Sequence, residues 1–495
     1  MARDPHVGRV LMVSPPDDWA HGATDWLDAL QPAGVILFRR HLPDDIEATR
    51  AAIARLRAWA ALHGDTLLIA MDEEGGFVSQ ISHLVPTPPS ARALARATDP
   101  DSVRDTFARY GRRMRDLGVN LDFAPVCDVS SNPRNPVIGV RSFGNDAELV
   151  SMYARAVHEG LASVGVLSCL KHFPGHGDTD VDSHLARPVI AHERARLDAV
   201  ELVPFRDLVH AAPTVMVAHV ECPGLDGAAG RGTPATLSSR ILNGLLRGEL
   251  GFEGVIVSDA LEMQGLSNEF GPGDAAALAL GAGCDLLLRC DSVENAMASA
   301  RGIEAALASG KLTQSRLAAA AARVDRLRAL AAAGSDRPEL AAPLADASRE
   351  QQTYRLICRA AVQWSGESRW AAVATEARGG RALRLAGWNA DVLDRFATRL
   401  DAHGVQCETC VLGAAAVPEA VDLLVLAERR PLSDAALALA AELADRSPHM
   451  LLANLLTPEV DEPIAPRFAA RLRSFDHSDL MLDTVVDTWL TRRSP

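Results

Sequence analysis

Long apolar runs are missing from this sequence. No stretch approaches the ~18 consecutive apolar residues of a membrane-spanning helix. Residues 1–16, MARDPHVGRVLMVSPP, lack the extended apolar core of a signal peptide, and Pro15-Pro16 closes the segment early. The expectation is a cytoplasmic protein with no membrane partner. Positive charge is also in deficit. The 495 residues hold 50 Lys plus Arg against 64 Asp plus Glu, a net charge of −14. Nucleic-acid binders need a clustered positive field, so a nucleic-acid partner is not expected. Cysteine is sparse: eight in all, several inside apolar runs, where they read as small core residues. Cys407 and Cys410 form a lone CxxC, and no second pair supports a zinc or redox reading. Internal repeats and low-complexity tracts are absent beyond Ala-rich helices.

What is present is a rhythm. Eight short apolar runs recur at 7–14, 34–38, 66–72, 119–128, 164–172, 214–219, 254–259 and 284–289. They are nearly continuous in Val, Ile and Leu. That composition suits strands buried on both faces of a parallel sheet. Between them lie segments with helical spacing at 44–63, 101–117, 146–164 and 238–250, with a further one at 313–333. Acidic or hydroxyl residues open these segments, and Gly118, Gly165, Gly251 and Gly334 close four of them. The pattern predicts an α/β protein: a (β/α)8 TIM-like barrel over residues 1–335. A doubly wound open sheet is the alternative. Residues 336–350 are rich in Pro and charge without apolar periodicity and read as a linker. Residues 351–495 alternate helical stretches with short apolar runs such as 370–374, 423–427 and 450–456. They are expected to form a smaller, sandwich-like α/β domain that is structural and supplies no catalytic residue.

A barrel places its chemistry where strands end. Here the apolar runs end in Asp72, Asp128, Lys171-His172, His219 and Asp259, while their interiors are almost wholly apolar. The densest such end is KHFPGHGDTDVDSH, residues 171–184, which packs three His and three Asp into fourteen positions around Gly175 and Gly177. A His bonded to a carboxylate exchanges protons near neutral pH, so Asp182-Ser183-His184 can hold an acid/base pair. The same residue types also make solvated turns. A metal set drawn from His172, His176, Asp178, Asp180 and His184 is chemically able, although no HxxxH helix is present. Asp259 ends a buried run, where an unpaired carboxylate is costly. It is either a reacting group or an N-cap for the ALEM segment that follows. Arg141 can clamp a hydroxyl or carboxylate, or form a surface ion pair. His219 is a ligand contact or a satisfied core residue.

Taken together, GVILFRR at 34–40, MDEEGG at 71–76, LDFAPVCDV at 121–129, GVRSFG at 139–144, the 171–184 stretch, AHVECPGLD at 218–226 and LRGELGFEGVIVSDALEM at 246–263 resemble glycoside hydrolase family 3, in its β-N-acetylglucosaminidase branch. The resemblance covers roughly residues 7–330. It implies a retaining β-N-acetylglucosaminidase acting on a small carbohydrate, in cell-wall recycling, with no cofactor and no metal. It implies Asp259 as the nucleophile, His184 as the acid/base and Asp182 as its orienting partner. It implies Asp72, Arg141, Lys171, His172 and His219 as substrate contacts. A histidine base tolerates an anionic acceptor, so a phosphorylase of the same glycosides is the first alternative. A β-glucosidase-type hydrolase of the family, a metal-dependent barrel hydrolase and a non-catalytic sugar-binding protein are the others. The chain departs from the family pattern at Phe77 and Gln80, where basic residues are common, which bears on sugar or aglycone specificity.

Overall fold

A computed structural model describes residues 4–20, 24–181, 186–227, 232–335, 347–413, 418–427, 432–456, 464–468 and 470–491. The eight apolar runs each contribute one strand: β1 (Leu11–Val13), β2 (Gly34–Ile36), β3 (Leu68–Met71), β4 (Leu121–Asp122), β5 (Leu167–Phe173), β6 (Thr214–Val217), β7 (Val255–Ser258) and β8 (Leu287–Arg289). All neighbouring pairs are parallel, in the order β7-β6-β5-β4-β3-β2-β1-β8. A parallel bridge between Val257 and Leu286 joins the two ends and closes the ring. The Ser258 hydroxyl accepts the Leu288 N–H at 3.1 Å across that same seam. The result is the expected barrel.

Alternation explains why these strands are apolar throughout. Met12, Ile36, Ala70, Val257 and Leu288 point inward and fill the barrel. Val35, Ile69, Ile256 and Leu287 point outward, into the two clusters beneath the helices. A parallel strand in this position has no wet face. Gly34 sits in the inner layer because a Cβ there would lie 2.7–2.8 Å from the Cβ and carbonyl oxygen of Leu68.

The helices begin as their sequences predict. Asp45, Asp99 and Asp146 cap Ile46–Leu62, Pro100–Leu117 and Ala147–Ser163 by accepting an N–H in the first turn. Gly118 ends the second in the left-handed conformation at φ 102°. Residues 238–250 differ from expectation: Arg240–Glu249 winds as a wide π-helix. It contains Gly244 and Gly248, both poor α-formers, and still buries Ile241, Leu242, Leu245 and Leu246.

A second, six-stranded sheet is built from β9 (Gln363–Ser365), β10 (Leu383–Gly387), β11 (Cys407–Val411), β12 (Leu423–Leu426), β13 (Leu451–Asn454) and β14 (Ala470–Arg473), ordered β11-β10-β12-β13-β14-β9. Only β9 runs antiparallel. Apolar clusters cover both faces, as an α/β layer structure requires. Residues 370–374 are not a strand but part of the helix Glu367–Arg378. Its buried positions Trp370, Val373, Ala374 and Ala377 have helical spacing, and Trp370 stacks edge-on against Trp364 and Trp489. Residues 347–350, expected at the end of the linker, form the first turn of the helix Ala347–Ala361. The reason is tertiary. Glu350 is buried against the Arg113 guanidinium at 2.6 Å, which ties this helix to Pro100–Leu117 of the barrel. No helix among the described residues is long and apolar enough to cross a membrane.

The Arg113–Glu350 pair is 6% and 5% exposed, so removing one partner breaks a buried ion pair. Glu350→Ala should lower unfolding free energy by about 3 kcal/mol, read as a lower urea midpoint. A midpoint equal to wild type would show that the pair does not join the two units.

Candidate active site

A cavity of about 500 Å³ opens at the C-terminal ends of the barrel strands. The polar groups on its floor come from strand ends and the loops that follow them. Asp72 leaves β3 toward the cavity, and Glu74, two residues on in the following loop, lines it as well. The chain then reverses through Gly75 and Gly76, at φ 89° and 58°. Lys171 and His172 lie within β5. Arg141 comes from a short 3-10 turn, Gly139–Arg141.

These residues form one chain of charge. The Lys171 ammonium lies 2.7 Å from Asp72 and 2.5 Å from Glu74. Glu74 also takes Arg141 as a two-pronged partner, 2.7 Å at each oxygen. The Arg141 Nη2 sits 3.4 Å from the His172 Nε2. His172 Nδ1 lies 2.7 Å from Asp128, whose other oxygen accepts the backbone N–H groups of His172 and His176 at 3.3 and 2.6 Å. A donor at Arg141 and an acceptor at Asp128 together favour the imidazole tautomer with its proton on Nδ1.

Burial would raise the Glu74 carboxyl, but Arg141 and Lys171 override it and hold the group well below the usual carboxylate range. Burial opposes charge on Lys171 too, and Asp72 and Glu74 outweigh it, so the ammonium is held above its ordinary value. Burial would raise Asp128 as well, and the hydrogen bonds from the His172 ring and the His176 backbone N–H hold it below its ordinary value. Burial drives His176 down to about 4 and leaves it a neutral ring. Its Nδ1 lies 2.9 Å from the Thr179 hydroxyl.

Asp259 follows β7 directly and lines the same cavity as Asp72, Arg141, Lys171 and His172. It is not an N-cap. The next helix is Gln264–Ser267, and its cap position is Met263. The Asp259 backbone N–H donates to Val217 at 3.0 Å, and its Oδ1 accepts the Ala260 N–H at 2.8 Å. His219, expected among the sugar contacts, lies instead beneath this loop. It is fully buried, with Nδ1 2.7 Å from the Thr236 hydroxyl and Nε2 2.9 Å from the Ala260 carbonyl. It does not line the cavity. The imidazole hydrogen-bonds the backbone beside Asp259.

The described part of the 171–184 stretch ends at Val181, so Asp182 and His184 lie outside the described residues. Up to that point the loop is anchored on the turn that follows β4. Asn135 donates to the His176 carbonyl and the Thr179 hydroxyl at 2.8 and 3.1 Å, and Ser131 donates to Asp178 at 2.9 Å. The approach is close: a Cβ on Gly177 would stand 1.9 Å from the Val129 carbonyl oxygen. Among the described residues no three His, Cys, Asp or Glu side chains are grouped to hold a metal. Cys407 and Cys410 are free thiols on β11, and their odd separation sends them to opposite faces of the strand.

Phe77 and Gln80 have new partners. Phe77 stacks on His477 of the second unit, 5.0 Å between ring centres. Gln80 lines the cavity, accepts the Arg39 N–H at 3.0 Å and reaches the Asp72 carbonyl at 3.4 Å. Glu74 joins the site without standing at the end of an apolar run, and its position two residues from Asp72 is the signal in the sequence. Asp128 is a run end, and only the fold shows that its carboxylate aims His172. Glu73 carries no signal in the sequence. That carboxyl is fully buried behind the site, takes a hydrogen bond from Tyr110, and accepts the Gln80 and Ile81 N–H groups.

Residues 4–327 match the family model for the glycosyl hydrolase family 3 N terminal domain. The chain is 41% identical over 243 residues to β-hexosaminidase A of Pseudoalteromonas piscicida, covering 46% of this chain and 40% of that one. It is 45% identical over 230 residues to β-hexosaminidase LpqI of Mycobacterium tuberculosis, covering 45% and 58%. The chain thus spans less than two thirds of either relative. The structure of a glycoside hydrolase family 3 β-N-acetylglucosaminidase from Paenibacillus superposes with a TM-score of 0.81 at 26% identity, covering 100% of this chain and 98% of that one.

Burial raises the Glu73 carboxyl from 4.5 to about 7. A folded state that holds its proton more tightly than the unfolded chain is stabilised below pH 4.5 and loses that contribution as pH rises toward 7. Glu73→Gln should therefore flatten the fall of stability between those two pH values, measured as urea midpoints across the range. It should leave the acid-side loss, which comes from the lowered Glu74 and Asp128, in place. A slope unchanged by the substitution would rule out Glu73 as its source.

Proposed function

The chain belongs to glycoside hydrolase family 3, and on that footing we propose that it is a retaining β-N-acetylglucosaminidase that releases terminal amino-sugar residues, in cell-wall recycling, through a covalent glycosyl-enzyme on Asp259. The observation that carries the reading is that Asp259 opens into the same cavity as the Asp72–Lys171–Glu74–Arg141–His172 chain of charge. A nucleophile and a rigid array of donors and acceptors around one sugar-sized space is what glycosyl transfer needs.

The two cations of the cluster are engaged by Asp72 and Glu74. They are therefore suited to fixing sugar hydroxyls, with little effect on the nucleophile's charge. Glu74 and Asp128 take no substrate contact in this scheme. Glu74 keeps both cations aimed, and Asp128 keeps the His172 tautomer. In the first step the Asp259 carboxylate bonds to the anomeric carbon while His184, oriented by Asp182, protonates the departing oxygen. In the second, neutral His184 takes a proton from water, the water oxygen attacks the anomeric carbon, and Asp259 leaves. Two inversions give retention. The names of the relatives, β-hexosaminidase and β-N-acetylglucosaminidase, support the amino-sugar preference.

A slow fluorinated amino-sugar substrate should add its glycosyl mass to Asp259, and Asp259→Ala should show neither the adduct nor turnover. An adduct elsewhere would reject the assignment. His184→Ala should cost roughly 10²–10⁴-fold, with the smaller losses on substrates whose leaving groups need no proton. Equal losses across leaving groups would remove His184 as the acid. In phosphate buffer the product should be the free sugar; a sugar 1-phosphate would replace the hydrolase by a phosphorylase.

A further inference from the structure

The charged cluster occupies only half of the barrel mouth. It is built from the ends of β3, β4 and β5, with Arg141. The other half is framed by the loops after β2, β3, β7 and β8, and these are stitched into a continuous rim. Gln80 accepts the Arg39 N–H at 3.0 Å. Arg40 donates to the Cys290 carbonyl at 3.0 Å, and the Cys290 N–H donates to Glu262 at 3.0 Å. Phe38, Gln80, Glu262 and Cys290 all face the cavity that Asp259 faces.

Two features of this rim have no use in the chemistry described above. One is the Phe38 ring, which offers an apolar surface backed by the Arg40 guanidinium 4.8 Å from its centre. The other is the Glu262 carboxyl, three residues beyond the nucleophile. Its Oε1 accepts the Cys290 N–H, and its Oε2 is buried on the Arg289 side, 3.7 Å from that guanidinium, without a hydrogen bond among the described residues. A carboxylate oxygen accepts two hydrogen bonds, so Oε1 keeps one acceptor position for a ligand.

The charge of the rim is also defined. Arg39 is paired with Asp44 and Arg40 with Asp17. Arg289 beneath it lies 3.7 Å from both Glu262 and Asp291, so one cation is shared by two carboxylates. Gln80, the next position along the rim, adds no charge. What the rim presents to a ligand is a surplus of negative charge and hydrogen-bond acceptors.

We propose that this half of the mouth is the aglycone subsite, that Phe38 is its platform, and that Glu262 makes it select uncharged or amine-bearing sugar aglycones over carboxylate-bearing ones. The inference rests on the glycosidase reading and narrows it. An aglycone sugar stacks one apolar face on Phe38 and donates hydroxyl or amino hydrogens to Glu262, whereas a carboxylate there meets like charge at short range. The recycling fragments it would take are therefore those whose leaving sugar carries no free acid.

The test compares kcat/KM for four substrates: p-nitrophenyl N-acetyl-β-glucosaminide, and N-acetylglucosamine β-1,4-linked to N-acetylglucosamine, to glucosamine or to N-acetylmuramic acid. Wild type should prefer the neutral and amine-bearing disaccharides over the carboxylate-bearing one by roughly tenfold or more. Glu262→Gln keeps the Cys290 contact and should bring that ratio close to one. Its loss on the neutral disaccharide should be roughly 10- to 100-fold and several times its loss on the aryl glycoside. Phe38→Leu should likewise lose more on the disaccharides than on the aryl glycoside. Equal losses on aryl and disaccharide substrates, or a wild-type preference for the carboxylate-bearing one, would overturn the subsite alone. An enzyme that cleaves none of the four would overturn the glycosidase reading, and this subsite with it.

Discussion

The site depends on keeping one ammonium ion buried. Lys171 is 1% exposed, and an unpaired ammonium there would cost several kcal/mol or lose its proton. Asp72 and Glu74 prevent both. Their presence sets a condition on everything nearby: two carboxylates on one strand end need more than one cation, so Arg141 must reach Glu74 from another loop. Arg141 then abuts His172, and His172 requires Asp128 to fix its ring. Each link satisfies the previous one and creates the need for the next. Every charged group of the cluster has a hydrogen-bonding partner, and together they shape the cavity. The chain has two lysines in all, Lys171 and Lys311. A compact ammonium fits between two carboxylates where a planar guanidinium, suited to one carboxylate edge, would not.

The second unit supports this arrangement from outside. The segment after Asp72 and Glu74 reverses at Gly75-Gly76 and passes beneath the loop 475–478. Phe475 accepts the Ser90 hydroxyl at 2.8 Å and lies under the Arg96 guanidinium at 4.7 Å. His477 stacks on Phe77, and a Cβ on Gly76 would crowd Asp476 at 3.1 Å. The strand end that carries the ion-pair carboxylates and the loop that carries Gln80 are therefore held between barrel and second sheet. Phe77 is part of this clamp and does not line the cavity.

Much of this was legible in advance, and the physical reason is consistent. A strand buried on both faces is apolar until it emerges, so the first ionisable residue after each apolar run marks the barrel mouth. Asp72, Lys171, His172 and Asp259 were found that way. His219 obeys the same rule and yet turns under the Asp259 loop, because Thr236 and the Ala260 carbonyl supply its two hydrogen bonds there. Position along a strand tells which residues reach the mouth. It does not tell which of them turn toward the ligand. Glu350 shows the same limit from the other side: a residue with the surroundings of a linker is helical and buried, because a barrel arginine pairs with it.

The sequence by itself determined the barrel, its strand order in the chain, the helix starts at acidic caps, and the family, since all of these rest on local periodicity and on motifs read in order. Only the tertiary structure decided which carboxylates belong to which cations, that Asp259 lines the cavity without capping a helix, and that Phe38, Gln80 and Glu262 share one rim. Those facts depend on contacts between residues tens to hundreds of positions apart. Local pattern carries no information about which distant partners a folded chain will bring within a few ångströms.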